Sequence, residues 1–335
     1  MVSMLNAIGV PARLVLVSTT HGIKLKELNP SPYQFNHMIV EVEFDSKIFF
    51  IDPTIQKQAG DFEHLTKLDY GWSLPLSDQG AELVQIQKPI SKRVFDLAHY
   101  FDFPKKLDDA TVEIKRTYHA HRADNMRAYF SSNEKNKYEL DFCEWAKNDT
   151  GLNLEILDPI SIVEDDTIKN ILTAKEKYRI LNITDTHPDK RVEVLTDFYK
   201  ELYTPNSEDF PIRIDLDGSL QHDIYVTYTK RPDFDISDAK AKYAVKGFEY
   251  EDIVEKIEGN QLHYMTRLTP LKKHVEYGTE AKEYKATVEA LRQRSNNLFP
   301  YKNKSKTSKI FGNWLFWYCS LIAFYMLIKY LFVND

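Results

Sequence analysis

The chain has 335 residues, of which 43% are hydrophobic and 28% charged, with a net charge of −6. That length allows two domains plus an anchoring segment, and the acidic balance lacks the basic footprint of a nucleic-acid binder. Two distant cysteines exclude a disulfide framework or a Cys-type zinc site, and the 11 glycines form no phosphate-cradling loop, so no cofactor is implied.

Residues 1–8 read as a helix stopped by Gly9, and residues 10–20 as a strand following Pro11. The stretch SPYQFNHMIVEVEFDSKIFFIDPT (31–54) then reads as a hairpin. His37–Phe44 and Ile48–Asp52 are rich in Val, Ile and Phe, and Asp45-Ser46-Lys47 supplies the turn. With Asp45-Ser46 as a two-residue turn, Asp52 falls opposite Ile39 and shares a face with His37, because side chains alternate along a strand. The two are then diagonal neighbours, roughly 7–8 Å apart at the backbone. Val40, Val42, Phe44, Phe49 and Ile51 fill the opposite, core-facing side. Residues 10–20, 36–44 and 48–53 should make one antiparallel sheet. A carboxylate beside an imidazole fixes its tautomer, as a general base beside a nucleophile requires. The same pair would also serve merely to pin the hairpin.

Farther on, residues 77–87 read as a last strand of this unit, and residues 88–107, with Pro89 and Pro104, as a boundary. A strand at 110–121 precedes helical residues 125–147, strands at 152–165 and 167–181, and further strands through 268. These describe a β-sandwich-like domain with a helical hairpin. His119 and His121 share a strand face but lack a third ligand, so a solvated face outweighs a metal site. DLDG (215–218) resembles the start of a calcium loop without its later ligands and reads as a turn. The helix at 280–295 reads as a stalk. Ile310–Val333 is 24 residues with a single charge, Lys329. At 1.5 Å per residue it is about 36 Å of helix, enough to cross a bilayer, with Trp314, Trp317, Tyr318 and Tyr330 towards its ends. Lys302, Lys304, Lys306 and Lys309 precede it and, by the positive-inside rule, favour a cytoplasmic domain. MVSMLNAIGV lacks the features of a signal peptide.

The stretches MLNAIGVPARLVLVST, NPSPYQFNH and FFIDPT together resemble the transglutaminase-like superfamily of papain-like cysteine enzymes, in its bacterial membrane-associated branch with flanking β-sandwich domains. The resemblance is dense over residues 4–60 and loose from there to about residue 300. It places the family's catalytic histidine on His37 and its aspartate on Asp52. The family's nucleophilic cysteine would lie on the helix leading into Met4, within about two turns upstream of Met1. Cys143 and Cys319 promise no contact with His37. The resemblance therefore implies an α+β fold. A truncated transglutaminase-like core with an antiparallel sheet (1–88) would be followed by a β-sandwich-like domain (105–278), a stalk and basic juxtamembrane segment (279–309) and a transmembrane helix (310–333). The implied function is a membrane-anchored transglutaminase-like protein that is catalytically incomplete, its family chemistry being Cys-His-Asp acyl transfer or amide hydrolysis. The alternatives are the C-terminal fragment of an active thiol acyl-transferase or peptidase-like enzyme, or a non-catalytic membrane-anchored binding protein. The partners would be the membrane, through 310–333, and protein or peptide substrates. The soluble part would be periplasmic in the full-length protein and cytoplasmic if this chain is made alone.

Overall fold

The computed structural model describes residues 1–300 apart from 67–68, 87–90, 187–190, 196, 203, 205–211, 215, 230–240, 246, 257–259 and 293–295. The chain begins with a short helix α1 (Val2–Ala7), which contributes no buried residue. Gly9 takes φ +85° and turns the chain into β1 (Ala12–Val17), with Asn6 exchanging hydrogen bonds with both the N–H and the C=O of Ala12. There follow β2 (His37–Phe44), β3 (Lys47–Ile51), β4 (Gly71–Pro75) and β5 (Val84–Ile86), in a five-stranded sheet of order β3-β2-β1-β4-β5. The expected antiparallel sheet is thus present. Phe44 pairs with Lys47, so the turn is the two residues Asp45 and Ser46, at φ +50° and +58°. Positive φ at both positions marks the turn whose twist matches antiparallel strands.

The two faces of this sheet are not divided as the alternation suggests. Val40 and Val42 are buried, but Phe44 of the same set is exposed, with Phe62 stacked on Phe44 and tilted against Phe49. The better-sealed cluster, Val15, Val17, Ile39 and Ile86 with Phe50, Ile55 and Tyr70, contains the direct neighbours of the His37–Asp52 pair. Loops, including the 3₁₀ helix Gly22–Glu27 against β4, cover that face.

The second unit starts with β6 (Ser91–Phe103), β7 (Thr111–His119), α2 (His121–Ser132), α3 (Lys135–Thr150), β8 (Asn153–Asp166) and β9 (Ile171–Leu181). It continues with α4 (Ile183–Thr186), β10 (Arg191–Leu195), β11 (Ile212–Arg213), β12 (Gly218–Tyr228), β13 (Ala241–Val245) and β14 (Phe248–Lys256). It ends with β15 (Gln261–Pro270), β16 (His274–Val275), α5 (Thr279–Arg292) and β17 (Asn296–Pro300). Eight strands form one sheet, β13-β14-β15-β12-β6-β7-β9-β8, while β10-β17 and β11-β16 are separate pairs. All neighbours in the large sheet are antiparallel except β6 and β12, which run parallel. At the edge, β8 loses register against β9 between Ile156 and Asp158, Asp158 and Ser161, and Ile162 and Glu164.

These facts correct the expected α+β class: the described residues are mainly β. Long period-2 runs dominate the chain, as in β7 and β12, where buried positions alternate with partly buried or exposed ones. The second unit is a single broad sheet with helices against one face, in place of a β-sandwich of two stacked sheets. On that face Leu97, Phe101, Val112, Ile114, Ile224 and Val226 pack with Cys143 and Ala146 of α3 and with Val192 and Val194 of β10. Two further readings change. The presumed boundary at 88–107 contains β6, a central strand of the large sheet. The presumed stalk is α5, whose Ala281, Tyr284, Val288 and Leu291 are buried against Phe248, Leu268 and Val275. No helix among the described residues is long and apolar enough to cross a membrane, and the expected span at 310–333 lies outside them.

The two units meet through a backbone junction. Gly60 and Asp61 donate N–H to the carbonyls of Thr167 and Ile168, at 2.8 and 3.0 Å. Beside them the fully buried Asp124 accepts from Ala59 N–H (2.9 Å), Thr66 Oγ1 (2.6 Å) and Arg127 Nη1 (3.2 Å). Gly60 is required there, since at φ +103° a Cβ would also sit 2.7 Å from the His64 backbone.

Candidate active site

Strand register builds the site. Val40 pairs with Ile51 in an antiparallel register, so one step back along β2 and one step beyond β3 bring Asp52 opposite Ile39, on the face of His37. The start of β2 is fixed from outside: Asn36 accepts from Thr19 N–H through Oδ1 and donates to Thr19 Oγ1 through Nδ2, both at 2.9 Å. The Asp-Pro-Thr segment then organises the carboxylate. Proline has no N–H, so the first free backbone donor is that of Thr54, and it reaches Asp52 Oδ1 at 3.0 Å. The Thr54 hydroxyl reaches the same oxygen at 2.7 Å. This leaves Oδ2 for the imidazole, and His37 Nε2 lies 2.7 Å from it.

A third residue joins them. Tyr70, in the loop before β4, donates its hydroxyl to Asp52 Oδ2 at 2.9 Å, and its ring lies 5.8 Å from that of His37. Nothing in sequence pattern marks it, because the contact spans a loop with no periodicity. Its placement depends on close backbone packing: a Cβ on Gly22 would lie 1.8 Å from the Tyr70 carbonyl oxygen.

Asp52 is almost fully buried (2% exposed), and His37 is half-buried. Burial works against the charge on Asp52, yet the hydrogen bonds from the Thr54 hydroxyl, His37, the Thr54 amide and Tyr70 outweigh it and hold its carboxyl below the usual range. Burial and the adjacent carboxylate push the Tyr70 phenol up, so it stays a donor. An ionised carboxylate only accepts, so the proton between the two groups belongs to His37 Nε2. Nδ1 is then the bare, basic nitrogen, and no described residue bonds it. Chemically, this is an oriented imidazole able to take a proton.

No nucleophile stands beside it among the described residues. Cys143 is buried in α3 within the core of the large sheet, and Cys319 lies outside the described residues. Next to Asp52, Pro53, the partly buried Leu5 and the exposed Met1, Met4 and Ile8 of the α1 region line an open apolar groove.

The weaker sequence candidates separate. β7 ends at His119, and Ala120 at φ +50° turns the chain, so His121 opens α2 and the two histidines share no strand face. His119 Nε2 bonds Asp96 Oδ2 at 3.0 Å. Asp217 of DLDG pairs with Lys273 at 3.0 Å. Among the described residues no group of three or more His, Cys, Asp or Glu side chains is placed to hold a metal.

No protein-family model matches the chain, and no curated protein matches it. A solved structure similar to it is the crystal structure, at 2.00 Å resolution, of a "putative protease" from Parabacteroides distasonis ATCC 8503. That likeness has a TM-score of 0.44 and 9% identity over 89% of this chain, which spans 41% of the neighbour's length.

Proposed function

We propose that His37 and Asp52 are the base and the orienting carboxylate of a transglutaminase-like Cys-His-Asp site, in a membrane-anchored protein whose described residues place no thiol beside them. The observation that carries this reading is the 2.7 Å His37–Asp52 bond with Nδ1 left free. In acyl transfer of this class, Nδ1 takes the proton of an attacking thiol, and Asp52 stabilises the imidazolium that results. The Thr54 and Tyr70 hydrogen bonds keep Asp52 ionised and still while that charge forms. The substrates would be amide or thioester groups of proteins or peptides, and the anchor would be 310–333.

The test compares two chains in amide and thioester hydrolysis. The chain alone should show no activity above background. A version extended ahead of Met1 by a cysteine-bearing helix should gain activity, and His37→Ala should remove it by about 1,000-fold or more. Activity of the unextended chain that depends on His37 would overturn the absence of a thiol from the mechanism. A folded, extended chain with no activity would overturn the role of His37 as base.

A further inference from the structure

Among the described residues the large sheet consists of two antiparallel halves, β13-β14-β15-β12 and β6-β7-β9-β8, whose strands join at the parallel pairing of β6 with β12. Parallel pairing is slightly the weaker kind. At this joint, on the covered face, His99 of β6 meets His222 of β12. Nδ1 of His99 lies 2.8 Å from Nε2 of His222, with the rings 4.9 Å apart. Both are sealed from solvent, at 0% and 1% exposure. The second nitrogen of His99, Nε2, is buried with no hydrogen-bond partner among the described residues. The pair also lies where two apolar clusters meet, one containing Leu97, Phe101 and Ile224, the other Val94, Phe198 and Leu220.

A hydrogen bond between two imidazoles needs a bare nitrogen on one side. If both rings are protonated, every ring nitrogen is a donor and the bond is lost. The surroundings favour the neutral rings. Burial pushes His99 well below the ordinary histidine value and His222 down to about 3, and Arg116 of β7 opposes charge on both. Of the acidic groups near them, Glu176 of β9 is paired with Arg116 and accepts from Tyr178. Asp149 of α3 is also turned to Arg116. Asp223, which favours charge on His222, lies on the other face of β12 and accepts from His263 at 2.8 Å. On the far side, Thr266 of β15 donates to Asp252 of β14, whose own carboxyl is pushed up by burial, and Tyr250 and Tyr264 beside them stay neutral because burial raises their phenols.

We infer that the β6–β12 joint is an acid-released latch: proton uptake by His99 and His222 breaks their bond and parts the sheet between its two halves. The sign follows from where the protons bind. Opened, both rings return to ordinary histidine behaviour near pH 6.5 and hold more protons than the closed pair does. The closed joint is therefore most stable above that pH and loses stability as pH falls below it. With two protons coupled to opening, the opening equilibrium should rise roughly 100-fold between pH 7.5 and 5.5, and roughly 10-fold if only one histidine is coupled.

Hydrogen–deuterium exchange with mass spectrometry on the full chain at these two pH values, corrected for intrinsic exchange, tests this. Peptides from 91–103 and 218–228 should lose protection by roughly 100-fold, while β1 and β2 change little. In a folded His99→Gln/His222→Gln variant, the pH dependence of those two peptides should vanish. The inference is overturned by unchanged protection in both peptides of the wild-type chain. It is equally overturned by equal acceleration in β1 and β2, or by a folded double variant that keeps the full pH dependence. The wild-type comparison decides the matter alone if the variant does not fold.

Discussion

Asp52 divides its work between its two oxygens, one tied to its own turn and the other shared by His37 and Tyr70. Tyr70→Phe leaves the ring and removes only the shared donor, so it should cost about 1–3 kcal/mol, the usual worth of a hydrogen bond to a charged group. The pH dependence has a definite sign. The carboxyl is held below its ordinary value, so its contribution is complete above about pH 4 and is lost as pH falls through the lower folded value. Removing Tyr70 raises that folded value towards the unfolded one, so the acid loss should be smaller and should end at higher pH. Urea midpoints measured from pH 7 to pH 3 on wild type and Tyr70→Phe check both the size and the shift. At this scale the sequence was legible where chemistry is local: His37 and Asp52 stand on one hairpin. Tyr70 was not, because its contact is made by a loop folding back across 18 residues.

The hairpin turn controls whether that chemistry exists at all. Asp45 and Ser46 both hold positive φ, a conformation that glycine adopts without strain. Ser46→Gly should therefore stabilise the hairpin by about 0.5–1 kcal/mol, read as a raised midpoint of unfolding. Inserting one residue between Asp45 and Ser46 should instead slip the register, send Asp52 to the other face and separate it from His37. Loss of the His37–Asp52 bond would be visible in the imidazole nitrogen spectrum. Other elements were harder to read. From Leu97 onward β6 alternates, with Leu97, His99, Phe101 and Phe103 buried on one face. Pro89 and Pro104 nonetheless suggested a linker, whereas Pro104 merely follows the strand's end. The α5 helix was read by its position near the apolar C-terminal segment, although Ala281, Tyr284, Val288 and Leu291 already gave it a buried stripe.

For the whole molecule, the junction at Asp124 joins the site-bearing sheet to the large one. Its carboxylate is sealed and serves donors from both units, Ala59 and Thr66 on one side and Arg127 on the other. Asp124→Ala should leave the Ala59 amide and the Thr66 hydroxyl without their acceptor, a cost of about 1–3 kcal/mol for each, while Arg127 keeps Asp165 and Asn170. Thermal unfolding of the variant should shift down accordingly, with proteolysis near residues 59–66 appearing first. None of this was visible in sequence. Strand order depends on which runs pair over long separations, and β12 reaches β6 from more than a hundred residues away. Alternation alone shows that strands exist and which face each buries, but a one-sided sheet and a sandwich both satisfy it. That is why the mainly β class emerged only from the pairing.

The irregular edge of that sheet has a consequence for life in a crowded solution. A long straight border strand offers a ladder of free amides and carbonyls on which another chain can continue the sheet, the first step towards fibrous aggregation. β8 is such a border, and it also exposes Ile156, Leu157, Ile162 and Val163. Its three breaks in register, with Pro159 among them, interrupt the ladder after every few residues, and Glu155, Asp158, Glu164, Asp165 and Asp166 add like charge along it. An incoming strand would find no continuous template and would have to bury a row of carboxylates, so the fold keeps a wide open sheet without inviting its own polymerisation.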